Sequence, residues 1–181
     1  MLFLSNYPEA MELYLLKCVS KYHTEPQRLA IVVNLYIQVK VPLIIHEKGE
    51  ERNHAVKAMA EFFNEHKARI NEPLTYNVIR RCSLDDLLLE AYRVFGSTKN
   101  YIDMLFERCE YEKIIKTLDL LNDDEASFVY RRFPLSYQLS LLTQWSGRVK
   151  LPDIGRVLLM FIDLCLVHYE NDEVGRKLTR V

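Results

Sequence analysis

The sequence predicts an all-α fold, an α-solenoid-like stack of short antiparallel helices, on three observations. Apolar residues recur at three- and four-residue spacing along almost the whole chain. The 181 residues hold only 5 glycines and 6 prolines, far fewer than a sandwich or barrel of short strands needs for its turns. The apolar segments are separated by short polar turns, the kind that join antiparallel helical neighbours. A globular helix bundle is the alternative packing of the same elements. No stretch rich in Gly, Ser or Pro divides the chain, so one helical domain or solenoid segment over 1–181 is expected.

Each element has its own signal. Ala10, Leu13, Tyr14 and Cys18 give the first helix its stripe, with Pro8 in the first turn, where a missing N–H costs nothing. Thr24 and Gln27 have the spacing of a capping box and open the second helix. The run from Leu29 to Val39 includes Ile31, Val32, Val33, Ile37 and Val39. It could form a buried strand by itself, but its length and the preceding cap favour helix. Pro42 is expected to break or kink it, and Lys48-Gly49-Glu50-Glu51 to form an exposed turn. Val56, Met59, Ala60, Phe63 and Ala68 mark an amphipathic helix. Asn71-Glu72-Pro73 opens a short one, Ser83-Leu84-Asp85-Asp86 the next, and Gly96 is placed to stop it. Short helices are expected over 98–108, 111–121, 123–132 and 135–145, the last ending at Ser146-Gly147. Pro152 opens a more hydrophobic helix through Tyr169, followed by a charged tail over 171–181.

Composition excludes several function classes. Hydrophobic residues make up 49% and charged ones 27% of the chain, enough for a buried core and a solvated surface, so disorder is not expected. The net charge of −1 lacks the surplus of Lys and Arg that displaces counterions from nucleic-acid phosphates. The basic pairs Arg80-Arg81, Arg131-Arg132 and Arg148/Lys150 read as solvated helix edges. Cys18, Cys82, Cys109 and Cys165 are far apart and form neither a zinc-binding pair nor a disulfide framework, so buried reduced thiols in a cytoplasmic protein are expected. The N-terminal residues carry no signal-peptide pattern. The apolar stretch from Val157 to Val167 is interrupted by Asp163 and too short to cross a bilayer, so direct membrane insertion is not expected.

Catalytic and cofactor chemistry is not predicted. His46-Glu47 begins like a zinc-protease helix, but Glu50 stands where the second imidazole is required on the same face. His54 and His66 are too far apart to share an ion, and the histidines are expected at the surface. Asp85-Asp86 and Asp123-Asp124 fall at helix starts, where carboxylates complement the helix dipole. No glycine-rich phosphate loop and no nucleophile elbow occurs. No catalytic residue, metal ligand or cofactor is therefore assigned.

The candidate functional residues are those of an interface. Trp145, the only tryptophan, sits near a helix end, either as a core cap or as an interface anchor. Phe161 and Leu164 belong to a segment that also holds Leu158, Leu159, Ile162 and Cys165. A helix apolar around most of its circumference is either central or covered by a partner, so self-association or partner burial is expected there.

A weak internal repeat pairs Tyr7-Pro-Glu-Ala-Met-Glu-Leu with Tyr111-Glu-Lys-Ile-Ile-Lys-Thr-Leu, each with an aromatic at a helix start and apolar residues after it. The stretch from Gly96 through Tyr101, Leu105, Phe106 and Tyr111 to Leu118 resembles a helical hairpin of clathrin heavy-chain repeats, and Asn6 to Tyr14 resembles its second helix. The order of 24–36, 83–94, 100–118 and 133–145 is similar to the solenoid of class C vacuolar protein sorting subunits of the deep-orange type, shared by the HOPS and CORVET tethering complexes. That family also carries a β-propeller and a RING-type zinc module. Neither pattern occurs in this chain, so the resemblance implies a middle segment or a divergent form. It further implies a non-catalytic scaffold that joins protein subunits of a larger complex, cytoplasmic and peripheral on endosomal or lysosomal membranes. It carries over no binding residue by position. A compact stand-alone adaptor or effector of another lineage is the competing expectation.

Overall fold

The structure, a computed structural model, describes residues 7–117, 121–145, 153–160, 162–163 and 165–167, with backbone alone at 142–145. All regular structure among these residues is helical. The elements are α1 (Pro8–Lys21), α2 (Pro26–Ile44), α3 (Gly49–His66), a 3-10 turn (Lys67–Arg69), α4 (Glu72–Arg81), α5 (Asp85–Phe95), α6 (Thr98–Glu107), α7 (Tyr111–Thr117), α8 (Asp123–Arg132) and α9 (Leu135–Trp145). Helical backbone continues at 153–160, 162–163 and 165–167. The all-α expectation holds, and the ambiguous run 29–39 is helix. The chain forms two compact units, 1–104 and 105–181.

Several local expectations fail for identifiable reasons. Thr24 and Gln27 form no capping box: Glu25 is the N-cap and its side chain makes no cap hydrogen bond. Pro26 in the first turn instead supplies a φ suited to the helix start. Pro42 does not break α2, which runs on to Ile44; so close to the C-terminus, the missing N–H forfeits one hydrogen bond of the final turn. The expected turn at Lys48-Gly49-Glu50-Glu51 is the start of α3, entered through Gly49 at φ 57°. Ser83 does not cap α5. It lies beyond the end of α4 in the left-handed region, φ 51°, where Leu84 N–H reaches back to the Ile79 carbonyl.

Other signals act as read. Asn71 accepts from Leu74 N–H at 3.1 Å and caps α4. Gly96, at φ 78°, ends α5, and Ser97 N–H returns to the Tyr92 carbonyl at 2.9 Å. This closes a left-handed corner that satisfies otherwise orphaned carbonyls. A reciprocal box is present at α8, where Asn122 Oδ1 accepts from Glu125 N–H and the Glu125 carboxylate accepts from Asn122 N–H.

A regular step emerges from these corners. The starts of α4, α5, α6 and α7 at Glu72, Asp85, Thr98 and Tyr111 are 13 residues apart. The left-handed corners at Ser83, Gly96 and Cys109 keep the same 13-residue spacing. At Cys109, Glu110 N–H bonds the Leu105 carbonyl at 2.9 Å, the bond that Ser97 makes at Gly96.

In the first unit α1 packs on α2, α2 on α4, α3 on α5, and α4 on α5. Its core contains Val33, Ile37, Val41 and Ile44 of α2, Met59 and Phe63 of α3, Ile79 of α4, and Leu87 and Ala91 of α5. Phe63 meets Phe95 with ring centroids 5.6 Å apart, and Tyr76 meets Tyr92 at 4.9 Å. Asn34 of α2 ties in the turn before α4: its amide donates to the Arg69 carbonyl at 2.9 Å and its Oδ1 accepts from Asn71 N–H at 2.8 Å. Lys40 bridges Glu12 of α1 at 3.1 Å and Glu47 at 3.4 Å.

The second unit has its own aromatic cluster. Tyr111 lies 5.7 Å from Phe133 and 4.8 Å from Tyr137, and Phe106 is 5.2 Å from Phe133. Gln138 is buried, with Nε2 on the Phe133 carbonyl at 2.7 Å, while the buried Tyr130 hydroxyl donates to the Gln138 carbonyl at 2.8 Å.

Candidate interaction surface

Three exposed apolar faces stand out against this core. At α1, Leu13 and Tyr14 are exposed, as is Tyr7 at the N-cap position before it. On α2, Ile31 and Leu35 are exposed one turn apart, with Ile45 beyond the helix end. Along 153–167, Leu158, Leu159, Met160, Ile162, Leu166 and Val167 are all exposed, while Val157 is fully buried. Apolar groups clustered on a solvent face are the feature that distinguishes interaction surfaces from the scattered exposed hydrophobics of any protein.

Two concave surfaces of the first unit are open to solvent. An open groove of about 640 Å³ between α3 and α5 is lined by Lys57, Glu61, Glu65, Glu90 and Arg93 among others. Arg93 and Glu90 pair there at 2.7 Å. A smaller one of about 210 Å³ lies among Leu16, Tyr36, Lys40, Met59 and Phe62. Burial raises the Tyr36 hydroxyl above its usual pKa, and the Glu12 charge acts in the same direction.

Among the described residues no three His, Cys, Asp or Glu side chains gather to hold a metal ion. His23, His46 and His54 are exposed, as expected. His66 departs from the surface reading. It is partly buried, its Nδ1 has no hydrogen-bond partner among the described residues, and its ring centroid lies 4.5 Å from that of Phe62. Burial holds this imidazole below its usual pKa; Glu65 acts against that shift and Arg69 with it. The cysteines are free, but only Cys18 is buried, and Cys109 and Cys165 are exposed. This corrects the expectation of four buried thiols.

Two of the basic pairs are more than solvated edges. Arg80 donates to the Tyr92 hydroxyl at 2.6 Å, Arg131 binds Asp153, and the Arg132 guanidinium lies 4.2 Å from the Phe106 ring centroid. The acidic pairs sit in the first turns of α5 and α8, as read. The two halves of the proposed repeat pack differently: Tyr111 joins the aromatic cluster, while Tyr7 is exposed.

Of the interface candidates, Phe161 and Leu164 lie outside the described residues, and Trp145 is described only as the last residue of α9. The sequence pattern singled out these three, placed Leu159 only within the segment's apolar circumference, and passed over Leu166, Ile31 and Leu35 as interface residues. The four-three-four spacing of Gly155, Leu159, Ile162 and Leu166 was the signal that could have separated an outer stripe from the inner one. The helix α2 is long and apolar enough to cross a membrane by length and composition, a test that a soluble core helix also passes. Leu29, Val33, Tyr36, Ile37, Val41 and Ile44 of α2 are buried in the first unit. No protein family, curated protein or solved structure matches the chain.

Proposed function

We propose that this chain is a non-catalytic scaffold or adaptor that works by binding partner proteins. The observation that carries the reading is alternate-helix packing, α2 on α4 and α3 on α5, combined with the 13-residue step of helix and corner. Stacking each helix on its second neighbour is how α-solenoids extend a core, and such arrays work through the lateral faces they present. Ile31 and Leu35 of α2 and Leu13 and Tyr14 of α1 are exposed, as residues of such a face would be.

The finer form of the proposal rests on the resemblance to class C vacuolar sorting subunits. The chain would then be a solenoid segment that holds subunits of a HOPS- or CORVET-type tethering complex together. It would act in the cytoplasm, peripheral to endosomal or lysosomal membranes, so that vesicles can be tethered for fusion.

The test is recovery of the tagged full chain from cells, with and without Ile31→Glu and Leu35→Glu. The tethering form predicts co-purification of other tethering-complex subunits. It also predicts about a tenfold loss in the double variant, as expected when apolar anchors are replaced, with an unchanged helical circular dichroism spectrum. Recovery without any tethering subunit overturns the finer reading and leaves a stand-alone adaptor. Recovery that the double variant does not alter removes α2 from the binding face.

A further inference from the structure

The helical residues at 153–160, 162–163 and 165–167 carry their own recognition pattern. Asp153 and Val157 are buried on one side. At 100° per residue, Gly155, Leu159, Ile162 and Leu166 fall within about 60° of one another on the opposite side. There Leu159 is 63% exposed, Ile162 51% and Leu166 55%. Their four-three-four spacing is the seam of a two-helix contact, in which apolar residues alternate so as to face one partner helix.

Charge decides which partner. Arg156 and Asp163 are both exposed, seven residues apart, and both border the same edge of the seam. Neither has an ion-pair partner among the described residues. In a helix pair related by a two-fold axis, with Leu159 opposite Ile162 of the second copy, the two strands run antiparallel. Arg156 then lies opposite Asp163 of the second copy, offset by about 3 Å along the axis. The symmetry repeats the ion pair on the other side of the axis. A parallel pair would instead set these charges against Leu158 and Cys165, which offer none.

We propose that a second copy of this chain covers this face, through an antiparallel, two-fold helix contact built on Leu159, Ile162 and Leu166 and registered by Arg156 and Asp163. The argument for this contact stands on this helix alone and does not rest on the partners proposed for α1 and α2. Fewer than two heptads of seam make a small interface, so dissociation in the micromolar range is expected.

Sedimentation equilibrium of the full chain, from about 1 to several hundred micromolar, should show a reversible monomer–dimer equilibrium consistent with this size of interface. Leu159→Glu should abolish it with an unchanged helical spectrum, since Leu159 is largely exposed. The charges give the sharper test. Arg156→Glu alone and Asp163→Arg alone each set like charges across both symmetry-related contacts, and should dimerise about tenfold more weakly or worse. Mixed together, the two variants restore opposite charges at both contacts and should form the heterodimer in preference to either homodimer. A wild-type chain that remains monomeric throughout overturns the proposal and assigns the stripe to another protein or to the chain's own remaining residues. A dimer indifferent to Leu159→Glu, or variants that show no preference for mixing, equally overturns it.

Discussion

Arg131 holds Asp153 through two parallel hydrogen bonds, Nε to Oδ1 at 2.7 Å and Nη2 to Oδ2 at 2.9 Å. The forked guanidinium matches the two carboxylate oxygens, a geometry that fixes direction as well as distance. Asp153 is buried and stands at the first described turn of the C-terminal helical residues. The pair therefore sets the rotation of that helix against α8, with Val157 turned inward and Leu159 outward.

Asp153→Asn keeps the shape of the side chain and removes its charge. The buried amide meets a guanidinium that it can no longer grip with two acceptors. Hydrogen exchange of the 154–160 amides should accelerate clearly more than that of α2 and α5. Uniform acceleration across both units, or none, would contradict the orienting role.

Asn34 links α2 to the turn before α4 by one donated and one accepted hydrogen bond. Asn34→Ala leaves the Arg69 carbonyl and the Asn71 amide without those partners, at a cost of about 1–3 kcal/mol where the groups stay shielded from water. Urea denaturation should show the loss as a lower midpoint with an unchanged slope. A midpoint within error of wild type would mean that water replaces both bonds.

Ser83 occupies the left-handed corner after α4 at φ 51°, exposed to solvent. A side chain there carries a steric penalty that glycine lacks. Ser83→Gly should raise stability by about 0.5–1 kcal/mol, although glycine's freer unfolded chain offsets part of the gain. Thermal melting provides the comparison. A lower melting temperature would show that the corner draws more from the serine than its backbone reveals.

His66 gives the fold a pH dependence of known sign. Burial lowers its folded-state pKa from the ordinary 6.5, so the unfolded chain binds the proton more readily. The contribution is fully present above about pH 6.5 and is lost as pH falls through the folded value. His66→Gln cannot titrate, and its urea midpoint should fall less than the wild-type midpoint between pH 7.5 and 5.5. Equal declines in both proteins would place the dependence on other groups.

The helical character and the helix ends with one dominant local cause were legible in the sequence. Gly96 stops α5 because it alone enters the left-handed region freely, and Asn71 with Pro73 starts α4 because both residues suit a first turn. Ser83 was misread because serine favours N-caps and tolerates corners alike, and only the position of α4's last turn separates the two. Thr24 lost to Glu25 because Pro26 already fixes where the helix begins. His66 is partly buried with its ring on Phe62, one turn away, and its polar sequence neighbours gave no sign of that burial. The outer stripe of Leu159, Ile162 and Leu166 was present in the spacing, but the apolar residues around it masked which side faces the core. Val157 and the Arg131–Asp153 pair supply that direction.

The 13-residue step bears on how such a chain can change length. Each step is one helix and one left-handed corner. Gaining or losing a whole step leaves every later helix and corner in the same phase of the 13-residue spacing. Shorter insertions inside a helix would rotate the following side chains by about 100° per residue and turn buried leucines toward water. Length variation among descendants of this sequence should therefore fall in the corners at Ser83, Gly96 and Cys109, or arrive as whole 13-residue steps.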